Sequence, residues 1–381
     1  MAAVTAGSAL IFTPVASAAV SAHGDDTPVV TVVASGLNNP KHITFGPGGL
    51  YITESGTGGN SCVSSSGTQF CEGETGSVAL LGWGGLRTVL SGLPSVIDPT
   101  EGTVGPAAVT FHRDRLAVLF QDAAVNQDGT TAVQGPGADV FGKLLFARPF
   151  SDSSGWSLGP DLAAFASANP QDPATIGGPP GFEATYDSDP YAIVPYKGGF
   201  AIADAAANDV LWLSREGNLS ILARLPTVPE TVPPGVFGPV PVTINAQAVP
   251  NSLAVGPDGA LYVGTLPGFP ALPGTATVYR LAPDQPPAAV VTGLTMITDI
   301  AFDHEGRLLV LEYNTAGGLG PPTTPGALLR VSHHGTVSTL PVTGLSEATG
   351  LAVGPFDGVY VAINGNTAAS NGEVLRINRI D

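Results

Sequence analysis

A hairpin-like motif recurs six times along the chain, and this repetition constrains the fold more than any other feature of the sequence. It is clearest in residues 251–265 (NSLAVGPDGALYVGT), where two apolar runs flank a Gly-Pro-Asp-Gly turn. Such a pattern is typical of a β-hairpin. The leading apolar residues of the six copies are Ile43, Val109, Ile193, Leu253, Ile300 and Leu351. A hairpin that returns at long intervals predicts repeat units that pack side by side.

Further apolar runs follow each hairpin. The third runs are 77–83, 143–149, 209–214, 277–282, 327–332 and 373–378. Fourth runs are 86–93, 219–225, 288–294 and 337–345. Four antiparallel strands in each of six units predict an all-β fold, namely a six-bladed β-propeller.

The sixth unit ends after its third run, and the N-terminal segment has the pattern that would complete it. Residues 29–37 (VVTVVASGL) resemble the fourth runs and precede the first copy as those runs precede the later ones. We therefore expect this segment to close the ring, with several buried valines, which removes two free sheet edges. Residues 28–381 are then one propeller domain.

Composition excludes some partners and agrees with a packed ring. The chain has a net charge of −17 and only 14 Lys and Arg residues, which argues against nucleic acid or an anionic membrane as a partner. A mean hydropathy of +0.26 indicates strands that neighbouring blades bury on both faces. The best helical pattern is short, at 161–169.

The first 22 residues have the composition of a signal peptide. They are apolar, rich in small residues, and contain Ala-Ser-Ala at 16–18 and Val-Ser-Ala at 20–22, which resemble signal-peptidase sites. They lack the usual basic n-region, because the first Lys or Arg is Lys41. Export, with no membrane span after signal removal, is the prediction, and a disordered apolar tail is the alternative.

Cys62 and Cys71 are the only cysteines, and both lie in the first unit. An even number of cysteines in an exported chain predicts a disulfide bond, with free thiols as the alternative. A metal site there is not indicated, because the neighbouring sequence contains no His and no further Cys.

Several longer segments resemble the ScyD/ScyE family of exported bacterial proteins, a branch of the NHL-type propellers. They include PKHITFGPGGLYITESG, AVPNSLAVGPDGALYVGTLPGFP, ITDIAFDHEGRLLVLEYNTAG and, more specifically, DLAAFASAN followed by DSDPYA and DAAANDVL. The resemblance covers about residues 28 to 380. It implies an exported six-bladed propeller and does not imply a particular reaction.

Strand direction divides candidate residues between the two faces of the ring. The turns after the first and third strands share one face, called the bottom, and His112 lies in one of them. The opposite, top face carries the starts of the first strands, where His42, Tyr191, Asn251 and Asp299 are candidates for the mouth of the central channel. The connections 226–250 and 268–274 also emerge on top, as a lid, a binding rim or a stiff linker.

Three acidic residues occupy one repeat position at the end of a second strand. Glu54, Asp204 and Glu312 belong to the first, third and fifth units, about 120° apart in a six-fold ring. Converging carboxylates predict a site for Ca²⁺, the one cofactor that the pattern suggests. The alternative is that each carboxylate caps its own loop.

Two classes of function fit these features. The first is a non-catalytic binding or scaffold protein that uses the top face and channel for a small molecule, a glycan or a protein partner. The second is a metal-dependent hydrolase of the lactonase type, with His42 as a weak candidate for the base. No nucleophile elbow, zinc-protease motif, phosphate loop or dinucleotide fingerprint occurs.

Overall fold

The structure is a computed structural model of the whole chain. It describes residues 28–65, 68–98, 102–121, 137–150, 155–171, 177–178, 180, 188–283, 285–367 and 370–380. The predicted signal peptide, residues 1–22, lies outside these ranges.

Six four-stranded antiparallel blades form a ring, as the repeats predict. The first strands are β2 (Pro40–Gly46), β8 (Pro106–His112), β12 (Pro190–Tyr196), β18 (Pro250–Val255), β22 (Ile297–Phe302) and β26 (Gly350–Val353). The second strands are β3 (Gly49–Glu54), β9 (Arg115–Phe120), β13 (Gly199–Asp204), β19 (Leu261–Thr265), β23 (Leu308–Glu312) and β27 (Val359–Ile363). Each first strand contacts the first strands of both neighbouring blades, so these strands surround the central channel.

The remaining strands lie progressively further from the channel. The third strands are β5 (Thr68–Gly82), β10 (Lys143–Ala147), β14 (Asp209–Leu213), β20 (Ala276–Leu281), β24 (Ala327–Val331) and β28 (Gly372–Asn378). The outermost strands are β6 (Gly85–Asp98), β11 (Trp156–Asp161), β15 (Leu219–Arg224), β21 (Ala288–Leu294), β25 (Val337–Thr339) and β1 (Val29–Leu37). Beyond the blades lie β4 (Ser61–Ser65), β7 (Gly102–Val104), and a hairpin of β16 (Val228–Val232) and β17 (Val242–Ala246).

The hydrophobic core lies between blades rather than within them. One cluster joins Leu80 of the first blade to Val118 of the second, and another joins Leu309 of the fifth blade to Val361 of the sixth. All four side chains are almost fully buried. Second strands such as β13 are buried along their whole length, because both sheet faces meet a neighbouring blade.

The N-terminal strand closes the ring. β1 pairs antiparallel with β28 from Val29 opposite Asn378 to Leu37 opposite Gly372, which confirms the predicted closure. The expectation of several buried valines is wrong, because β1 is an outermost strand and its first residues face solvent. Val29, Val30 and Val32 are 40–50% exposed, whereas Leu37 is buried.

The second blade contains an outer strand that its sequence does not reveal. Residues 156–161 (WSLGPD) lack a clear apolar alternation, yet they form β11 beside β10. Helix α1 (Leu162–Ala168) follows directly, with the Asp161 carboxylate accepting the N–H of Ala164 as its N-cap. This helix confirms the helical prediction. Among the described residues, no helix is both long enough and apolar enough to cross a membrane.

The first blade extends beyond the ring on the top side. β5 is 15 residues long and β6 is 14, and β4 pairs with the part of β5 that precedes the blade. Cys62 and Cys71 face each other in this β4–β5 pairing and form the predicted disulfide.

We expect loss of this disulfide to destabilise the protein. A Cys62→Ser/Cys71→Ser variant frees a loop with a sequence separation of 9 residues. The chain-entropy cost of that freedom is about 2 to 3 kcal/mol. Urea unfolding measures this loss, and reductant should shift the parent but leave the variant unchanged. Free thiols in the native parent, seen by intact mass after alkylation, would contradict the bond.

Candidate functional site

Most of the first strands carry a β-bulge where they begin at the top face. The pairing shifts register between Pro40 and Ile43, Pro106 and Ala108, Pro190 and Ala192, Pro250 and Ser252, and Ile297 and Asp299. The bulged residues include His42, Tyr191 and Asn251. Because a bulge redirects a side chain and raises local twist, it explains why these residues leave the regular alternation of the blade.

Polar side chains at these bulges join successive blades. The Asn251 amide donates to the carbonyl oxygens of Ile297 and Thr298, at 3.4 and 3.3 Å. The Asp299 carboxylate accepts the N–H of Leu351 in the sixth blade, at 2.7 Å. Asn251 and Asp299 therefore lie where the first strands begin on the top face, and both hold neighbouring blades together.

Asp299 lies close enough to Tyr191 to affect the ionisation of the Tyr191 phenol. Burial, with the nearby Asp189, Tyr313 and Asp299, raises the pKa of the Tyr191 phenol. Burial also raises the pKa of the Asp299 carboxyl to about 7, although hydrogen bonds from Leu351 and Ile300 oppose this. The phenol is therefore neutral at pH 7, and the carboxyl is close to half protonated.

Tyr313 extends this group toward the sixth and first blades. Burial and the nearby Glu347 raise the pKa of the Tyr313 phenol to about 12, against a side-chain hydrogen bond with Asn366. The Asn366 N–H donates to the Glu347 carboxylate at 3.2 Å, and the buried Lys41 ammonium donates to the Asn366 side-chain oxygen at 3.4 Å. We call Lys41, His42, Tyr191, Asp299, Tyr313, Glu347 and Asn366 the channel-mouth cluster.

His42 is an uncharged member of this cluster at neutral pH. Burial lowers the pKa of its imidazole to about 4. Its Nδ1 atom is buried and has no hydrogen-bond partner among the described residues. One nitrogen of a neutral imidazole always offers a lone pair to a ligand.

Ser252, His42 and Asp299 are a serine, a histidine and a carboxylate at the same repeat position, directly before the leading apolar residue. They do not form a catalytic triad. The Asp299 oxygens accept the N–H groups of Ile300 and Leu351, and Ser252 Oγ lacks a hydrogen-bond partner among the described residues. A catalytic triad requires the serine, the imidazole and the carboxylate to be hydrogen-bonded in sequence. The three residues share a repeat position without sharing this geometry.

The structure does not gather Glu54, Asp204 and Glu312 into one metal-binding group. Among the described residues, no three His, Cys, Asp or Glu side chains are arranged to hold a metal ion. Each carboxylate instead accepts a backbone N–H just before the first strand of its own blade. The donors are Asn38 to Glu54 at 2.7 Å, Asp189 to Asp204 at 2.8 Å and Thr295 to Glu312 at 2.7 Å. The predicted convergence is thus corrected, because each carboxylate turns back to its own blade.

Asp204 is the most heavily bonded of the three, and its removal should destabilise the third blade. Its carboxylate accepts from the Ser188 hydroxyl at 2.6 Å and from the Ala207 N–H at 3.2 Å, besides Asp189. We expect Asp204→Ala to lower the free energy of unfolding by about 3 kcal/mol, because buried donors lose their acceptor. Urea unfolding measures the change, with the exposed Asp139→Ala as the control. Equal stability of both variants would contradict this role.

The long top connections pack together as a rim beside the channel. The β16–β17 hairpin lies within 226–250, and its Glu230 carboxylate accepts the N–H of Leu272 in the 268–274 loop. The Phe237 and Phe269 rings pack edge to face, with 5.9 Å between their centroids. Gly318 of the fifth blade donates to the Ala271 carbonyl. These contacts favour the rim interpretation over a stiff linker.

Comparison with known proteins shows the fold alone. No protein-family model matches the chain, and no curated protein matches it at a significant level. The structure is similar to the aldose sugar dehydrogenase of Escherichia coli, with 15% identity over 93% of this chain and 100% of that chain and a TM-score of 0.54. It is also similar to a glucose dehydrogenase (16% identity, 91% and 98% covered, TM-score 0.52) and to a luciferin-regenerating enzyme (9%, 92% and 95%, 0.52).

Three members of the channel-mouth cluster, His42, Tyr191 and Asp299, are candidates from the sequence, as is the nearby Asn251, whereas Lys41, Tyr313, Glu347 and Asn366 are not. His42, Tyr191, Asn251 and Asp299 follow from their position next to the repeat. Tyr313 and Asn366 lie in loops after second strands, one and three residues past the end of the strand. Their position in the repeat could have identified them, because second strands end on the top face and the residues that follow lie near the channel mouth.

Proposed function

We propose that this propeller is a non-catalytic binding protein that takes a small, uncharged, hydroxyl-rich molecule at the channel-mouth cluster. The observation that carries the proposal is the concentration of enclosed hydrogen-bonding groups that are neutral at pH 7. Burial keeps the Tyr191 and Tyr313 phenols protonated and the His42 imidazole unprotonated. A convergence of polar groups in a concave mouth is typical of ligand sites.

The charges of the cluster support a neutral ligand. Asp299 and Glu347 oppose the binding of an anion, and the buried Lys41 ammonium opposes the binding of a cation. Phenol groups, an amide and a carboxyl offer both donors and acceptors to hydroxyl groups. The rim on the fourth blade adds apolar surface through Phe269, which is 53% exposed.

Isothermal titration with matched sugars tests this proposal. The neutral probes are D-glucose, D-xylose and N-acetyl-D-glucosamine, and the charged counterparts are D-gluconate and D-glucuronate. We expect saturable binding of a neutral sugar that weakens about tenfold in Tyr191→Phe/Tyr313→Phe, because two hydrogen bonds are lost. Tyr360→Phe, which removes a phenol oxygen near the bottom of the sixth blade, is the control. Tighter binding of the acids, or binding of no neutral sugar, would contradict the proposal.

The hydrolase alternative and the calcium prediction are tested on the same protein. D-Glucono-1,5-lactone is incubated with the parent and with His42→Gln, with Ca²⁺ or with EDTA, and turnover is followed by proton release. Melting with and without Ca²⁺ tests the cation separately. A calcium-dependent rise that disappears when Glu54, Asp204 and Glu312 all become amides would support a shared cation and count against individual capping.

We also propose that the protein is exported and belongs to the ScyD/ScyE group. The motif resemblance and the apolar N-terminal segment support this proposal, and the Cys62–Cys71 disulfide agrees with an oxidising compartment. Expression of the full chain followed by fractionation and N-terminal sequencing tests export. Intracellular retention with an intact residue 1 would contradict it.

A further inference from the structure

A cleft on the bottom face lies between the second and third blades, on the side opposite the channel-mouth cluster. It has a volume of about 390 Å³, within the range of small-molecule sites. Phe111, His112 and Phe200 form its walls, and Pro195 lies beside them. The walls come from the ends of β8 and β12 and the start of β13, so they belong to regular strands rather than to loops.

The aromatic wall is held by ring contacts that join three neighbouring blades. The His112 ring lies 5.4 Å from the Phe146 ring and 5.7 Å from the Phe200 ring, measured between centroids. Phe200 is 5% exposed, and Phe111 packs edge to face against Tyr51 of the first blade. Rings fixed in this way offer a planar ligand both ring faces and ring edges.

Two arginines at the cleft supply positive charge. Arg215 is oriented by the neighbouring β12–β13 turn of its own blade, because its Nε donates to the Gly198 carbonyl at 2.5 Å. The terminal guanidinium nitrogens remain beside the cleft. Arg113 makes no hydrogen bond or ion pair within the part of the chain that the structure describes, and it is exposed. An unpaired guanidinium presents a planar fork that matches a carboxylate.

The charge of the surrounding surface is unusual for this protein. Five of the 14 basic residues lie in the bottom turns of these two blades or at the first residue of the strand that follows such a turn, although the chain carries a net charge of −17. These residues are Arg113, Arg115, Arg148, Lys197 and Arg215. Among the described residues of these turns, the acidic ones are Asp114, which pairs with Arg148 at 3.7 Å, and Glu216, which follows Arg215. Asp152 belongs to the same connection in the sequence and lies outside the described residues.

We propose that this cleft binds a small aromatic carboxylate. The ring of the ligand lies against Phe111, His112 and Phe200, and its carboxylate is held by Arg113 and Arg215. An apolar ligand without charge would use only the walls, and a simple anion would use only the arginines. Both features in one cleft select a molecule that carries an aromatic ring and a negative charge together.

Calorimetric titration with naphthalene-2-carboxylate tests this assignment, and naphthalene-2-carboxamide serves as the neutral match. We expect one carboxylate per chain and at least about tenfold weaker binding of the amide, because charge-assisted hydrogen bonds are lost. Arg113→Gln/Arg215→Gln should weaken the carboxylate by a similar factor. Arg379→Gln, which removes an exposed arginine from the sixth blade, should leave binding within about twofold.

Proton NMR of the imidazole groups locates the ligand independently of affinity. The chain has six histidines, and the signal that is absent from His112→Gln should shift on addition of the carboxylate. A shift confined to other histidines would overturn the assignment. Equal affinity for acid and amide, parent-like binding by the double arginine variant, or absence of saturable binding would overturn it as well.

Discussion

Deletion of residues 28 to 36 is expected to lower the melting temperature of the protein by about 10 °C or more. Among the described strands, β1 is the only partner of β28 on its outer side, and it pairs with β28 from Val29 to Leu37 with irregularities after Val32 and after Ser35. The deletion removes these backbone hydrogen bonds, with a net contribution of about 1 kcal/mol each. It also uncovers Val374, which is fully buried. Differential scanning calorimetry measures the midpoint.

The buried valines expected from the sequence do not contribute to this effect. Because Val29, Val30 and Val32 are exposed, the loss comes from strand pairing and from the packing of Ala34 against the core. A Val30→Thr/Val32→Thr variant, which keeps the strand but removes apolar surface, should therefore melt within about 2 °C of the parent.

Strand addition in trans gives the deletion a control. A synthetic peptide of residues 28–37 should pair with the exposed edge of β28 and restore much of the lost stability, and a scrambled peptide should not. The truncated chain alone should aggregate through the same edge. An unchanged midpoint after deletion, or equal rescue by both peptides, would contradict ring closure by β1.

The propeller could be predicted from the sequence because the strands of each blade depend on patterns of neighbouring residues. Each hairpin is recognised from a short apolar run, a turn and a second apolar run, and this pattern predicts the hairpin without information on distant contacts. β11 shows the limit of this rule. Its sequence contains Gly159 and Pro160, which are unfavourable in strands and interrupt the apolar alternation. The strand is identified by its pairing with β10.

The site could be predicted only in part, because it depends on where side chains turn at the ends of strands. Repeat position correctly places Glu312 at the end of β23, but it does not show that the carboxylate turns back to the N–H of Thr295. In the same way, the bulge at Tyr191 can be located only from the pairing of β12 with β13, which the sequence does not specify residue by residue. Proximity of Tyr191 to Tyr313 joins residues far apart in the sequence and has no local signal.

Unfolding should become easier as the pH rises from 6.5 to 9, because two buried carboxyls resist ionisation. Burial and the nearby Asp204 raise the pKa of Asp209 to about 8, although Arg224 opposes this shift. Burial raises the pKa of Asp299 to about 7. The native state therefore binds more protons than the unfolded state over this range, and linkage makes stability fall until both groups are ionised.

Histidine 42 acts in the opposite direction at lower pH. Its pKa is lowered to about 4 in the native state, so the contribution of His42 to stability falls as the pH drops from about 6.5 toward 4. The two raised carboxyl pKa values stabilise the native state increasingly over the same acidic range, and because two protons are involved against one, they outweigh the loss from His42. The range above pH 6.5 therefore isolates Asp209 and Asp299.

Asp209→Asn is the sharper test of this pH dependence. Asp209 is 3% exposed, and its Oδ1 atom has no hydrogen-bond partner among the described residues. The Arg224 guanidinium that opposes the pKa shift also donates to the Asn169 and Pro170 carbonyls, so it is shared. An amide resembles the protonated carboxyl and cannot ionise. The stabilising effect of the substitution should grow by about 2 kcal/mol between pH 6.5 and 9.

Two further variants distinguish a buried charge from a general surface effect. Asp139→Asn removes an exposed carboxylate, so its effect should be the same at pH 6.5 and 9. Asp299→Asn should give a smaller net benefit than Asp209→Asn, because Asp299 accepts two backbone N–H groups and an amide oxygen replaces only one of the two acceptors. Urea unfolding at both pH values measures all three. An effect of Asp209→Asn that is constant with pH would show that Asp209 is already ionised at pH 6.5, and the buried-proton explanation would then fail.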